Sequence, residues 1–254
     1  MNFLKWAGGK RKLLPIIKQL LPKQFDAYYE PFVGGGAVYF GLIGRMGIPS
    51  YLSDINEELV NAYRCVRDIP QAVDELLKAW PNNRATYYQI RDGEYSLPAT
   101  RAARFIYINK VGFNGLWRVN RSGKCNTSYG GEERGTNYLP AIFDISQALA
   151  GVSLLCQSYQ EVAIDNDHAF VYCDPPYTDT DTMYIDHSFD QIQFAQWVKS
   201  LPCLVMVSHF DNEYIRALYA GLNFHEVSVR HVISGLPSGR HYRKELLITN
   251  YAVR

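Results

Sequence analysis

Asp174-Pro175-Pro176-Tyr177 holds the chemistry-bearing residue types of this chain at their tightest spacing. It follows Phe170-Val171-Tyr172-Cys173, an apolar and aromatic run that reads as the end of a buried strand. Two prolines cannot continue a sheet ladder, because neither donates an N–H and both hold φ near one value. The spacing therefore puts a carboxylate acceptor, a rigid turn and an aromatic ring where a strand stops. In open α/β sheets, ligands bind at such carboxyl ends. Taken alone, the same residues also fit a β-turn with a surface tyrosine.

Three further groups could do chemistry. Glu30-Pro31-Phe32-Val33-Gly34-Gly35-Gly36 puts glycines after a strand, where the backbone can turn sharply and a ligand can approach its N–H groups. The next glycine is Gly41, so the dinucleotide spacing is missing, and no Gly-Lys-Ser/Thr of a phosphate loop occurs. A nucleoside without phosphates fits better. Asp54, at the end of the next strand, could accept from both ribose hydroxyls. In Lys5-Trp6-Ala7-Gly8-Gly9-Lys10, the Trp6 ring offers a flat wall beside backbone N–H groups, and Lys10 could meet a carboxylate. A flexible N-terminal arm fits those residues equally. Asn109-Lys110-Val111-Gly112-Phe113-Asn114-Gly115-Leu116-Trp117-Arg118-Val119-Asn120 mixes arginine and asparagine, which hydrogen-bond guanine and adenine edges, with aromatic and apolar residues that can wedge between base steps. A glycine-rich turn with structural aromatics is the plainer alternative.

The elements that carry these groups follow from periodicity. Helical spacing appears at Leu13–Leu21, Ala37–Met46 and Ile55–Val66, with strands expected at Ala27–Val33 and Tyr51–Asp54. The chain thus opens as strand, glycine loop, helix, strand, acid, one nucleotide-binding βαβ unit. Residues 68–108 read as helical pieces at Pro70–Trp80, Ala85–Asp92 and Pro98–Ile108. Residues 109–138 show little periodicity, and so long a stretch in a compact domain argues for a function. Strands return at Val152–Cys156, Phe170–Cys173, Leu204–Ser208, Phe224–Val229 and Leu246–Tyr251, with helices at Asp190–Ser200 and Asp211–Tyr219. Both ends read as α/β, with a helical and loop insertion between them.

The bulk numbers exclude several classes. The chain has 254 residues, 47% hydrophobic and 20% charged, which suits a globular protein of one large or two small domains. No apolar run is long enough for a membrane helix and no signal-peptide core is present, so a cytoplasmic protein is expected. The five cysteines are scattered, and the six histidines form no ligand pattern, so neither a zinc site nor a disulfide framework is expected. Net charge is +1, but the signs are segregated. Lys5, Lys10, Arg11, Lys12 and Lys18 precede any acid; Arg101, Arg104, Lys110, Arg118, Arg121, Lys124 and Arg134 face only Glu132 and Glu133; and Arg230, Arg240, Arg243 and Lys244 form a third basic run. Such a distribution can present a basic face to nucleic acid or simply a solvated surface.

Together, Phe3–Lys10, Glu30–Gly36 with Asp54, Asn109–Asn120 with Tyr129-Gly130, and Asp174–Tyr177 resemble the Dam-type (D12 class) DNA adenine-N6 methyltransferases in motif order and interval across essentially the whole chain. The resemblance implies the S-adenosylmethionine-dependent methyltransferase fold: a mixed, mainly parallel seven-stranded sheet flanked by helices, with an inserted DNA-recognition domain. It implies a catalytic domain at 1–55 and 152–254 and a recognition domain at 56–151. The implied donor is S-adenosylmethionine, without a metal, and the implied partner is double-stranded DNA, with no membrane, no obligate protein partner and a monomeric state.

By residue, the resemblance implies that Trp6, Ala7, Gly8 and Lys10 line the donor site, with Phe32, Val33, Gly34 and Gly36 around its methionine and ribose portions and Asp54 on the ribose hydroxyls. Asp174 would lie against donor and target base; with Pro175, Pro176 and Tyr177 it would form the catalytic turn. Lys5, Phe113, Asn114, Leu116, Arg118, Asn120 and Tyr129 would contact DNA. The implied target is adenine in GATC or a related short site. The chain departs from the pattern at Ser128, in place of a proline, and at Gly131, in place of a basic residue. An RNA or nucleoside N-methyltransferase, a cytosine-N4 enzyme, a non-catalytic DNA-binding module and a dehydrogenase are the competing readings. The recognition insertion favours duplex DNA, aspartate before Pro-Pro favours adenine, and the missing glycine spacing disfavours the dehydrogenase.

Overall fold

A computed structural model of the chain describes residues 3–6, 8–131, 140–177, 189–230 and 242–253. Seven strands form one sheet in the order β3-β2-β1-β4-β5-β7-β6: β1 (Ala27–Glu30), β2 (Ser50–Asp54), β3 (Ser153–Cys156), β4 (Ala169–Cys173), β5 (Leu204–Phe210), β6 (Asn223–Arg230) and β7 (Tyr242–Thr249). β1 pairs in parallel with both β2 and β4, and β4 in parallel with β5. β7 runs antiparallel to β5 and β6. This is the mixed, mainly parallel sheet of a methyltransferase-type α/β fold. Its order reverses between β1 and β4. All five residues of β4 are buried, as a continuous apolar run in a central parallel strand should be.

The helices are α1 (Leu14–Leu20), α2 (Glu57–Asp68), α3 (Pro70–Ala79), α4 (Arg84–Asp92), α5 (Pro98–Val111), α6 (Ile142–Ala148), α7 (Gln191–Ser200) and α8 (Glu213–Leu218). Their starts are written in the sequence. Asn56, Asn83, Asp190 and Asn212 each accept an early helix N–H, and prolines open α1, α3 and α5. α5 is buried nearly all round from Ala102 to Val111 and receives α2, α3 and α4 on its sides.

The chain falls into two compact units: Met1–Arg11, Val33–Gly47 and Ser53–Gln157 in one, and Lys12–Phe32, Ile48–Leu52 and Ser158–Arg254 in the other. The second has its own core, in which Val171, Cys173, Phe194, Val198, Val205, Val207, Leu246 and Ile248 pack together.

Three local differences from the sequence expectation have physical causes. The helix expected at Ala37–Met46 is a π-helical turn over Tyr39–Ile43, ended when Gly44 N–H bonds the Tyr39 carbonyl five residues back. β7 begins at Tyr242 rather than Leu246, because β6 pairs along its whole polar start. α6 was not expected: it has only seven residues, too few to show a period, although Ile142 and Ile145 bury one face.

Candidate active site

Parallel in-register pairing puts Cys173 of β4 beside Val207 of β5, so Asp174 and Ser208 are the next neighbours at the two strand ends. Side chains alternate along strands, which sets Tyr172 on the face of Asp174, one pleat behind it. The hydrogen bonds follow that placement. Ser208 Oγ donates to Asp174 Oδ1 at 2.9 Å and Tyr177 Oη donates to the same oxygen at 2.9 Å. Tyr172 Oη lies 3.1 Å from Ser208 Oγ, as donor to it. Tyr172 and Ser208 are buried, and burial reinforced by the Asp174 charge pushes both the Tyr172 and Tyr177 hydroxyls well above their ordinary pKa, so both stay protonated donors. The Tyr177 ring stacks on His209 at 4.7 Å and meets Phe210 edge-on at 4.5 Å. Buried Gln191, the first residue of α7, donates from Nε2 to the Pro176 carbonyl at 2.8 Å, which fixes the peptide plane leading into Tyr177.

Phe32 belongs to the same unit and packs its ring against Tyr159, Phe189 and Phe194.

In the other unit the glycine loop and Asp54 are tied together. Asp54 Oδ2 accepts from Gly34 N at 3.1 Å and Oδ1 from Asn56 N at 3.0 Å. Burial raises the Asp54 carboxyl above its ordinary pKa, opposed by the N–H groups of Asn56, Gly34 and Ile55. Val33 N bonds the Ser53 carbonyl at 2.9 Å, and Tyr63 Oη bonds the Gly34 carbonyl at 2.9 Å. Gly34 has φ of 46°, and a Cβ there would come within 2.6 Å of the Trp6 ring. Trp6 thus lies directly over a backbone that only glycine can form. Gly36 accepts Phe40 N at 2.9 Å. Lys10 is buried, with Nζ on the Gly8 carbonyl at 2.5 Å. Ala7 lies outside the described residues, as do Glu132, Glu133, Arg134, His231, Arg240 and His241.

Residues 111–130, also in this unit, form an irregular hairpin rather than an unstructured loop. Gly130 N bonds the Val111 carbonyl, Phe113 N the Ser128 carbonyl, Asn126 N the Arg118 carbonyl and Asn120 N the Lys124 carbonyl, with bridges at Gly112–Tyr129 and Val119–Cys125. Asn120 Oδ1 accepts from Ser122 N, Ser122 Oγ and Lys124 N, so this oxygen holds the tip. Tyr129 is half-buried against Tyr87, its hydroxyl on Asn82 Oδ1 at 3.1 Å. Leu116 is half-buried. Phe113 is 55% exposed, and Asn114 and Arg118 are exposed. Asn114 has φ of 54°, a left-handed conformation that asparagine tolerates.

Beneath the hairpin, buried Asn109 accepts Lys5 N on Oδ1 at 2.9 Å and donates from Nδ2 to the carbonyls of Lys5 at 2.6 Å and Gly115 at 2.9 Å. A Cβ on Gly115, at φ of 66°, would fall 2.5 Å from Lys5 Cβ. The N-terminal segment is therefore stitched to the hairpin rather than waving free. Lys5 Nζ reaches the Lys110 carbonyl at 3.2 Å, and Lys110 is itself buried. Burial, with Lys5 and Arg11 adding repulsion, pushes the Lys110 ammonium down to about 8.

Two residues at the turn lie outside the motifs read from the sequence: Ser208 could have been found only from the strand register, and Gln191 only from the α7 start behind the turn. Lys110 stands in the Asn109–Asn120 stretch, but its burial follows only from the packing of α5. Among the described residues, no group of three or more His, Cys, Asp or Glu is placed to hold a metal ion, and no helix is long and apolar enough to cross a membrane.

A family profile described as D12 class N6 adenine-specific DNA methyltransferase matches residues 6–233. The chain is 33% identical over 277 residues to the type II methyltransferase M1.LlaDCHI of Lactococcus lactis subsp. cremoris, covering 98% of this chain and 95% of that protein. It is 34% identical over 289 residues to the type II methyltransferase M.MjaIII of Methanocaldococcus jannaschii, covering 98% of each. With the DNA adenine methylase of Escherichia coli K12 it shares 34% identity over 265 residues, 96% of this chain and 93% of the other.

Proposed function

This chain belongs to the D12 class of N6 adenine-specific DNA methyltransferases, and on that premise we propose that it moves a methyl group from S-adenosylmethionine to adenine N6 in duplex DNA, within GATC or a related short site. The observation that carries the reading is the strand-end turn, where the Asp174 carboxylate is anchored by two hydroxyl donors beside the Tyr177 ring.

The donor residues fit such a ligand. Asp54 fastens the glycine loop through Gly34 N–H and has lone pairs to accept from ribose hydroxyls. Val33, Gly34 and Gly36 give close backbone approach, and Trp6, Gly8, Lys10, Phe32 and Ala7 complete the set assigned to the donor. When bound, the donor supplies an electrophilic methyl group on a sulfonium that is already a good leaving group.

The amino nitrogen of adenine is a weak nucleophile because its lone pair is delocalised into the ring. Asp174 and the Pro175 carbonyl accept the two N6 hydrogens and hold them out of the base plane, which frees the lone pair to attack. Positioning and electrostatics supply the rate, with no covalent intermediate on the protein and no metal. The N6 proton leaves to water after methylation. Because N6 is shielded in a duplex, the base is flipped out. Tyr177 then stacks on it, in place of stacking worth about 1–3 kcal/mol per base.

Recognition falls to the hairpin. Phe113 and Asn114 fill the gap or meet the orphaned partner base, Arg118 reads a guanine, Leu116 packs on a thymine methyl, and Lys5, Asn120 and Tyr129 complete the contact set. In this reading residues 1–55 and 152–254 serve catalysis and 56–151 recognition, and the enzyme acts as a cytoplasmic monomer.

The test is methyl transfer from labelled S-adenosylmethionine to duplex DNA, single-stranded DNA and RNA, followed by nucleoside analysis and by sequencing of the modified positions. N6-methyladenine in duplex DNA at one short context is the expected product. Label in RNA, or N4-methylcytosine, would replace the reading.

A further inference from the structure

Ser208 and Tyr172 make a hydroxyl chain that ends on Asp174. A serine hydroxyl has one proton and two lone pairs. Ser208 Oγ donates to Asp174 Oδ1 at 2.9 Å, with the Cys173 carbonyl farther off at 3.3 Å and the Tyr177 hydroxyl also within hydrogen-bonding reach. Tyr172 Oη, 3.1 Å away, is a donor, because its burial keeps it protonated. With the tyrosine proton occupying a serine lone pair, the single serine proton is directed to its shorter acceptor, the carboxylate. The chain then runs from Tyr172 O–H to Ser208 Oγ and from Ser208 O–H to Asp174 Oδ1. Tyr172 is 1% and Ser208 0% exposed, so water cannot compete for these bonds. The register that makes the chain possible belongs to the sheet, whereas Asp174 lies on the turn beyond it.

We propose that Ser208, with Tyr172 behind it, is a positioning residue that fixes the orientation of the Asp174 carboxylate toward the adenine amino group. The proposal rests on the assignment of Asp174 as the N6 acceptor made above. It predicts a defect in the chemical step and not in binding. A carboxylate that loses a hydroxyl anchor rotates about its side-chain torsions, and misplacement of a positioning group by a fraction of an ångström lowers the rate without lowering affinity for remote contacts.

The experiment is single-turnover methylation at saturating duplex DNA and saturating S-adenosylmethionine, for the wild type, Ser208→Ala, Ser208→Thr and Tyr172→Phe, with Asp174→Ala as reference. Ser208→Ala should lower the single-turnover rate by about tenfold or more, the usual scale for losing a hydrogen bond to a charged group. The KM for both substrates and the Kd for duplex DNA should stay within about twofold in the same variant. Ser208→Thr keeps the hydroxyl and should recover most of the rate. Tyr172→Phe should fall in the same direction by a smaller factor. A normal rate in Ser208→Ala with an inactive Asp174→Ala overturns the role of Ser208 alone. An active Asp174→Ala overturns the catalytic assignment itself. Loss of rate and of DNA affinity together, without rescue by threonine, marks a merely structural serine and also overturns the proposal. If Ser208→Ala does not fold, Tyr172→Phe decides: a wild-type rate there counts against the chain.

Discussion

At the Asp174 turn, the described bonds run from the sheet outward to the chemistry: Ser208 on the neighbouring strand, Tyr177 on the turn and Gln191 on α7 all hold the backbone or the carboxylate in place. In the 111–130 hairpin, the described bonds tie the backbone of the stem and the tip. Asn109, Thr127 and the ladder from Val111 to Gly130 are fastened, while the side chains of Phe113, Asn114 and Arg118 are exposed. Chemistry on one atom needs a group held to a fraction of an ångström. Reading a deformable duplex needs side chains that can adjust on contact. The difference teaches that substitutions at the turn should act on rate, and substitutions in the hairpin on affinity and choice of site.

The largest effect should come from Asp174→Ala, with a fall in methylation of about a thousandfold or more, the scale seen when a group acting on developing charge is removed. Duplex binding should persist, and the fold should lose only about 1 kcal/mol, because the carboxylate is half-buried and the hydroxyls of Ser208 and Tyr177 lose one acceptor. Turnover near the wild-type value would erase the contrast at its stronger end.

Next is Asn109→Ala. Three hydrogen bonds of a buried side chain disappear together, to Lys5 N, the Lys5 carbonyl and the Gly115 carbonyl. At about 1 kcal/mol each, with backbone groups left unpaired, denaturant unfolding should show a loss of about 2–4 kcal/mol. Duplex affinity should drop in parallel, since the stem under Phe113 and Asn114 loosens. Unchanged stability would mean that the N-terminal segment holds the hairpin by other contacts.

How far the sequence reveals these regions follows from the range of the interactions. Glycine and proline positions and period-two runs locate the strands and the Asp174 turn, because they are local. All seven strands are readable that way, including those around Tyr51–Asp54 and Leu204–Ser208. Ser208 is a different matter: its bond to Asp174 spans 34 positions and exists only once β4 and β5 are in register. Within the stretch that reads as aperiodic, residues 112–130 form a hairpin that combines tight glycine crossings with a 3-10 turn, and neither leaves a repeat. Asn120 shows the opposite limit. Its type suggests base contact, yet its oxygen closes the hairpin tip through three local bonds that composition cannot separate from recognition.

Arg118→Ala should leave donor binding and the fold intact and relax preference at one base pair by about 1–3 kcal/mol, the worth of a good bidentate contact to guanine. Sequencing of methylated positions measures this directly. An unchanged site preference would remove Arg118 from base readout, and a uniform loss across all sequences would make it a phosphate contact instead.

The smallest effect on methylation, and the one that separates stem from tip, concerns Lys110. Its ammonium is buried and pushed down to about 8 by desolvation first and by Lys5 and Arg11 second. In the unfolded chain the group titrates near 10.4. Between those values the unfolded state binds more protons than the folded state, so this residue makes stability rise with pH across the window from about 8 to about 10.4. Below about 8 both states carry the charge, and the cost of burying it is fully present. Lys110→Met, similar in length and without charge, should therefore be more stable than wild type near pH 7 by up to about 3 kcal/mol, and that advantage should shrink as pH rises toward 10. Comparing the two proteins at each pH cancels the cysteines and tyrosines that titrate in the same range. A constant difference across the window would mean that Lys110 keeps its charge in the folded protein. If so, the hairpin stem would rest on a charged group, and the contrast between a dry stem and an exposed reading surface would weaken at Lys110.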